Sequence, residues 1–226
     1  MKDIFDATLI LFDFDGVLVN TEKNHYLAYK MMAADRGFEL DWDFMRYCQA
    51  AHYSSAGLES QIYSELPALH KQESDWSVLY AEKKFNYSKL IDNGGVELMP
   101  GVEAYLKYLE DKGVNTCVVT HSSLEHIEII RKKLPVLNSI NHWITREDYG
   151  QPKPSSECYL SAIKKFANIN DKIIGYEDTP RGLQALMGTP AQAILVCQIE
   201  YPEIDQYINK GAQHYSSFEE ILGKKD

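Results

Sequence analysis

The sequence predicts an α/β fold: a parallel sheet with helices on both faces, interrupted by an inserted helical unit. Three observations predict it. Short apolar runs recur along the chain, amphipathic stretches alternate with them, and no such run occurs between about Thr21 and Asp92. Strands that alternate with helices form parallel sheets covered on both sides.

The first run, Ala7 to Phe12, is continuously apolar and ends in Asp13, as a buried central strand would. Further strands are expected at Val114 to Thr120, Asn141 to Thr145, Lys172 to Tyr176 and Ala193 to Cys197, with a weak last one at His214-Tyr215. Helical patterns lie between them, at about 101–112, 122–134, 155–168, 180–188, 203–210 and 217–223. The interruption reads as three or four helices, with breaks near Gly37, around 51–57 and at Pro67. Asn93-Gly94-Gly95 and Met99-Pro100-Gly101 mark the return. The expected organisation is a core domain of residues 1–19 and 93–226 and a helical domain of residues 20–92. An insertion after the first strand lies at the carboxyl edge of the sheet, where open α/β folds bind ligands.

Composition narrows the function. With 33 acidic against 23 basic residues, the net charge of −10 argues against a nucleic-acid or anionic-membrane surface. An anionic substrate would need local positive charge or a metal. The four cysteines are far apart with no CxxC pair, so neither a disulfide framework nor a zinc site is expected. The N-terminus lacks the pattern of a signal peptide and no apolar run is long enough to span a bilayer, which predicts a reduced, cytoplasmic protein. Composition specifies no oligomeric state.

Four clusters carry chemistry. Asp13-Phe14-Asp15-Gly16-Val17 ends the first strand; two carboxylates there are costly without a compensating cation, and Gly16 permits a tight turn beside a ligand. Asp and Gly are also common in solvated turns. Glu177-Asp178-Thr179-Pro180-Arg181-Gly182 again puts acids at a strand end, with Thr179 suited to cap a helix that starts at Pro180. In Thr120-His121-Ser122-Ser123, a hydroxyl between strand and helix makes a phosphate cradle. Ser122 with Glu125 equally fits a capping box, which leaves Thr120 the better candidate. Lys153-Pro154 offers one ammonium in a loop stiffened by prolines, although most lysines are solvated.

In this order the clusters resemble the four motifs of the haloacid dehalogenase-like superfamily, in the helical-cap branch that includes phosphoglycolate phosphatase and β-phosphoglucomutase. Asp13 to Val19 is similar to the first motif, Thr120-His121-Ser122 to the second, Lys153-Pro154 with Cys158-Tyr159-Leu160 to the third, and Gly175 to Thr179 with Gly182 to the fourth. The resemblance runs from about residue 7 to the last helix and implies a Rossmann-like core with an inserted helical cap. It implies a phosphatase acting on a small-molecule phosphate ester, with Asp13 as nucleophile and Asp15 as general acid and base. Magnesium would be held by Asp13, the Asp15 carbonyl and Asp178, with Glu177 a ligand or a partner behind one. Thr120 and Lys153 would bind phosphoryl oxygens, and Gly16, His25, His121 and Ser122 would face the substrate, although His25 reads equally well as a polar residue on a cap helix. Relatives that remove halide generally lack the second acid, so Asp15 favours phosphate chemistry.

The pattern departs in places. His121 stands where Asn is usual, a replacement that would add pH sensitivity. Residues 49–59 lack the glycine-arginine loop of the sugar-phosphate mutase, which tilts the reading to phosphatase. His52 and Tyr53 are specificity candidates that packing explains equally well. The competing readings are the mutase, a non-catalytic binding protein on the same fold, and a receiver domain, which the length and the insertion set aside.

Overall fold

The computed structural model describes residues 2–53, 55–199 and 201–224. β1 (Leu9–Phe12) is wholly buried, as its unbroken apolar run requires. It pairs in parallel with β2 (Asn115–Val119) on one side. β3 (His142–Ile144) follows β2, β4 (Ile173–Glu177) flanks β1 on its other side, and β5 (Gln192–Val196) and β6 (Gln213–Tyr215) follow in turn. All ladders are parallel, in the Rossmann-like order β3-β2-β1-β4-β5-β6 that changes direction of growth at β1. Phe12 lies opposite Val118 and Tyr176, so β1, β2 and β4 reach the carboxyl edge together. Each expected strand is present: β1, β2 and β3 are shorter than expected, β4 and β5 are each shifted by one residue, and the weak one pairs as β6 from Gln213.

The lead before β1 contains a short helix the sequence reading did not foresee, α1 (Lys2–Phe5), anchored by buried Ile4 and by Phe5 edge-on to Tyr108. The chain divides into two compact units, residues 1–20 with 97–226 and residues 21–96. These borders lie one and four residues beyond those expected. Asn20 N–H donates to Glu97 O at 2.8 Å and Met99 N–H to Leu18 O at 2.9 Å, which holds 18–20 and 97–99 in the sheet unit. Gly95 N–H donates to Leu90 O and Asn24 Nδ2 to Gly95 O, at 3.2 and 2.5 Å, which holds the Asn93-Gly94-Gly95 turn with the helices.

The helical unit contains α2 (Glu22–Asp35), α3 (Phe44–Tyr53), α4 (Ser55–Glu65), α5 (Pro67–Gln72) and α6 (Trp76–Asp92), where three or four helices were expected. The extra element arises because Pro67 opens a helix of its own at its first position rather than merely ending one. α2 packs along α6, and the Asp75 carboxylate caps α6 by accepting from Ser77 N–H at 2.9 Å.

The sheet unit resumes with α7 (Val102–Lys112), α8 (Leu124–Lys133), α9 (Glu157–Phe166), α10 (Pro180–Met187), α11 (Ile204–Ile208) and α12 (Phe218–Gly223). On one sheet face Leu9 and Leu11 pack with Cys117, Tyr159 and Leu183. On the other, Phe12 meets an aromatic cluster of Tyr105, Tyr176 and Phe218. All four cysteines are free thiols in buried positions. Among the described residues no helix is long and apolar enough to cross a membrane.

Candidate active site

Asp13 leaves β1 with its N–H still bonded to Tyr176 O at 2.9 Å, so the sheet fixes its backbone. The chain then turns at once: Gly16 has φ +82° and donates its N–H to Val19 O at 2.9 Å, while Phe14, Val17 and Leu18 are buried beneath. Gly16 has a second reason to be glycine. A Cβ there would stand 2.1 Å from Asp178 Oδ2, so the bare backbone is what lets the β1 and β4 acids meet. Gly16→Ala is expected to lose about 1–3 kcal/mol of stability, which urea unfolding checks.

Asp13, Glu177 and Asp178 form a carboxylate cluster whose ligand oxygens lie within 4.8 Å of one another. Burial pushes Asp13 up to about 8, Lys153 opposes that, and Glu177 and Asp15 add to it. Three acids in little-exposed positions against one lysine leave uncompensated negative charge. An all-oxygen donor set of this kind fits a hard divalent cation such as magnesium. The Asp15 carboxylate stands outside that cluster, where Ser122 Oγ donates to its Oδ2 at 2.6 Å.

The ammonium of Lys153 lies at the centre of the site, 6% exposed. It donates to Asp13 Oδ1, to Val119 O at 3.1 Å and to Tyr159 Oη at 3.1 Å, and lies 2.7 Å from Glu177 Oε1. Burial alone would lower its pKa, but Asp13 and Glu177 outweigh that and hold it well above the usual lysine value. The loop that carries it is braced by Glu157, whose carboxylate accepts from Gly150 N–H at 2.8 Å and Gln151 N–H at 2.9 Å.

Thr120 is fully buried; its Oγ1 accepts from Ser122 N–H at 3.0 Å, which keeps its own hydroxyl hydrogen for a ligand. The Ser122–Glu125 capping box, the alternative reading of these serines, does not form: α8 is capped at Ser123 with no side-chain bond, and the Ser122 hydroxyl turns to Asp15. Thr179 does cap α10, accepting from Gly182 N–H at 3.2 Å with Pro180 at the first position. His121 is held through Nδ1 by the Tyr149 hydroxyl, which itself donates to Thr120 O at 2.9 Å. Burial, with Lys153, Arg181 and Arg146 nearby, holds the imidazole down at about 4.

The sheet unit thus brings together Asp13, Asp15, Gly16, Thr120, Ser122, Lys153, Glu177 and Asp178, with His121 on Tyr149. His25 belongs to the helical unit, where Lys83 Nζ donates to its Nδ1 at 2.6 Å and the Tyr87 ring stacks on it at 4.1 Å. His52 pairs there with Glu22 at 3.3 Å, and the Tyr53 side chain lies outside the described residues. Sequence reasoning missed the bracing roles of Glu157, Tyr149 and Tyr159. Glu157 and Tyr159 share the first turn of α9, close in sequence to Lys153, and that proximity was the available signal.

An α/β core thus carries an acid-lysine-acid cluster at the carboxyl edge, where the strand order reverses and open α/β folds bind ligands. Residues 10–196 match the haloacid dehalogenase-like hydrolase family, and the chain belongs to it. It is a phosphoric monoester hydrolase of that family, and several of its curated relatives are named as phosphatases. One of them, (DL)-glycerol-3-phosphatase 2 of Arabidopsis thaliana, is 25% identical over 84% of this chain and 79% of its own length. Among solved structures, a predicted phosphoglycolate phosphatase of Haemophilus somnus 129pt superposes with a TM-score of 0.78 at 18% identity, covering 98% of this chain and 99% of its own. A β-phosphoglucomutase of Clostridium difficile superposes with 0.66 at 20% identity, over 94% and 92%. At these identities the structures speak for the fold.

Proposed function

We propose that the protein is a magnesium-dependent phosphatase that hydrolyses a small phosphorylated metabolite through an aspartyl-phosphate on Asp13. The observation that carries this reading is the Lys153 ammonium joining Asp13 to Glu177, with Asp178 beside them, at the carboxyl end of β1.

A carboxylate oxygen of Asp13 attacks phosphorus and the ester oxygen leaves with a proton from Asp15. Asp15 then takes a proton from the water that cleaves the acyl phosphate, returning Asp13. Ser122 Oγ, on Asp15 Oδ2, holds the acid in place for both transfers. Lys153 and the free hydroxyl hydrogen of Thr120 hold the transferring oxygens, so most of the catalysis is positioning and electrostatics. Asp13 and Asp178 would hold magnesium, with the Asp15 carbonyl and with Glu177 next to them; when bound it neutralises phosphoryl charge. The helical unit serves as the cap that selects the substrate, and its residues 49–59 offer no arginine for a second phosphate.

The test measures phosphate release from glycerol 3-phosphate, phosphoglycolate and hexose phosphates, with magnesium and with EDTA. In parallel, borohydride is added during turnover, which reduces an aspartyl-phosphate to homoserine. Magnesium-dependent release together with homoserine at position 13 is the expected result. Release without the trapped residue removes the covalent mechanism, and no release from any ester removes the phosphatase.

A further inference from the structure

Tyr159 takes no part in the steps above, yet it is a fully buried polar side chain in contact with both ions of the site. A phenol carries one hydrogen and accepts through its lone pairs. Here the hydrogen goes to Glu177 Oε1, and the oxygen accepts from Lys153 Nζ at 3.1 Å. Lys153 has three N–H bonds. Tyr159 Oη takes one and Val119 O another, each at 3.1 Å, and the third goes to Asp13 Oδ1, with Glu177 Oε1 in ion-pair contact at 2.7 Å. The Glu177 carboxylate sits where a side chain on residue 182 would be: a Cβ on Gly182 would stand 1.9 Å from its Oε2, so the glycine is what admits it. A buried tyrosine ordinarily needs only one partner, often a backbone carbonyl. This one bridges a buried lysine to a buried glutamate.

We propose that Tyr159 is a positioning residue whose hydroxyl, tied to Glu177, aims the Lys153 ammonium at Asp13. The proposal rests on the phosphatase reading for its kinetic readout and on geometry alone for its second readout.

Tyr159→Phe removes one oxygen from a ring that stays packed against Leu183 and Cys117. The expected result is kcat lower by about 10–100-fold, the range seen when a group behind a ligand is lost, with KM changed less than about threefold and an unchanged melting curve. In a cycle with Glu177→Gln, the double variant loses less than the product of the two single losses, because the two substitutions share one link. Multiplicative losses, or a kcat within about twofold of the parent, overturn the proposal. Tyr159→4-aminophenylalanine, which keeps the ring and a donor, is expected to restore most of the rate; it also replaces the Phe protein if that fails to melt cooperatively, and loss of the rate in a folded protein then counts against the role.

The second readout is the rate at which acetic anhydride labels Lys153, followed by mass spectrometry in the folded protein. Release of the ammonium in Tyr159→Phe raises that rate several-fold. An equal rate sinks the proposal even if the protein hydrolyses no ester at all, so the two readings fail separately.

Discussion

Asp13→Asn is expected to lower phosphate release by about 10⁴-fold or more, the scale seen when a nucleophile is removed, equivalent to about 5 kcal/mol of transition-state stabilisation. The loss should fall on kcat, since Lys153, Thr120 and the remaining acids still bind the ester. Folding should survive. Asn keeps the shape of a side chain that burial pushes up to about 8 and that Glu177 and Asp15 crowd further. The variant gives up the charge attraction to Lys153, though its amide oxygen can still accept from the ammonium; it relieves that crowding, and Lys153 keeps Glu177 as its counter-ion 2.7 Å away. The check is steady-state release beside a thermal melt: activity lost with the melt within a few degrees of the parent. Residual activity within about tenfold would assign the nucleophile elsewhere.

In the helical unit, Glu22→Gln should be among the most destabilising single changes. Burial raises Glu22, but the His52 bond and the charges of His52, His25 and Lys83 outweigh it and hold the carboxyl down at about 2 rather than 4.5. Over the interval between those values the unfolded chain binds a proton that the native chain does not. The contribution is therefore complete above about pH 4.5 and drains away as pH falls toward 2. Its full size is about 3 kcal/mol. Glu22→Gln should thus cost about that much at pH 7 by urea unfolding, and less than half as much at pH 3. A cost that does not change with pH would mean that Glu22 acts by packing alone. The loss at neutral pH has a second source: Lys83, 4% exposed, would keep its place among Tyr29, Tyr87 and His25 without the charge of Glu22 that it interacts with.

Most of the core and its chemistry follow from local pattern. A buried parallel strand must be apolar along its length and must end at the carboxyl edge, so Asp13, Thr120 and Glu177-Asp178 announce themselves as polar residues where an apolar run stops. Thr179-Pro180 announces a helix start for the same local reason. These signals lie within a few residues of one another, where hydrogen-bond and burial rules act directly. What tertiary structure decided are contacts between residues far apart in sequence. Ser122 had two possible partners, Glu125 three residues away and Asp15 more than a hundred away, and the fold delivers Asp15 to its hydroxyl. Lys83 belongs with His25 and Glu22 with His52 only because the inserted helices fold on one another. The borders of the two units moved past the glycines because Asn24 reaches Gly95 across the length of the insertion. Tyr159 reads in sequence as one more apolar position on α9; only the arrival of Glu177 from β4 gives its hydroxyl an ion to hold. The sequence by itself determined the sheet, the order of its strands along the chain and the chemical groups at its edge. Which of those groups grip one another was decided by the three-dimensional structure, because side-chain hydrogen bonds are short-ranged and their partners meet only after the chain has closed.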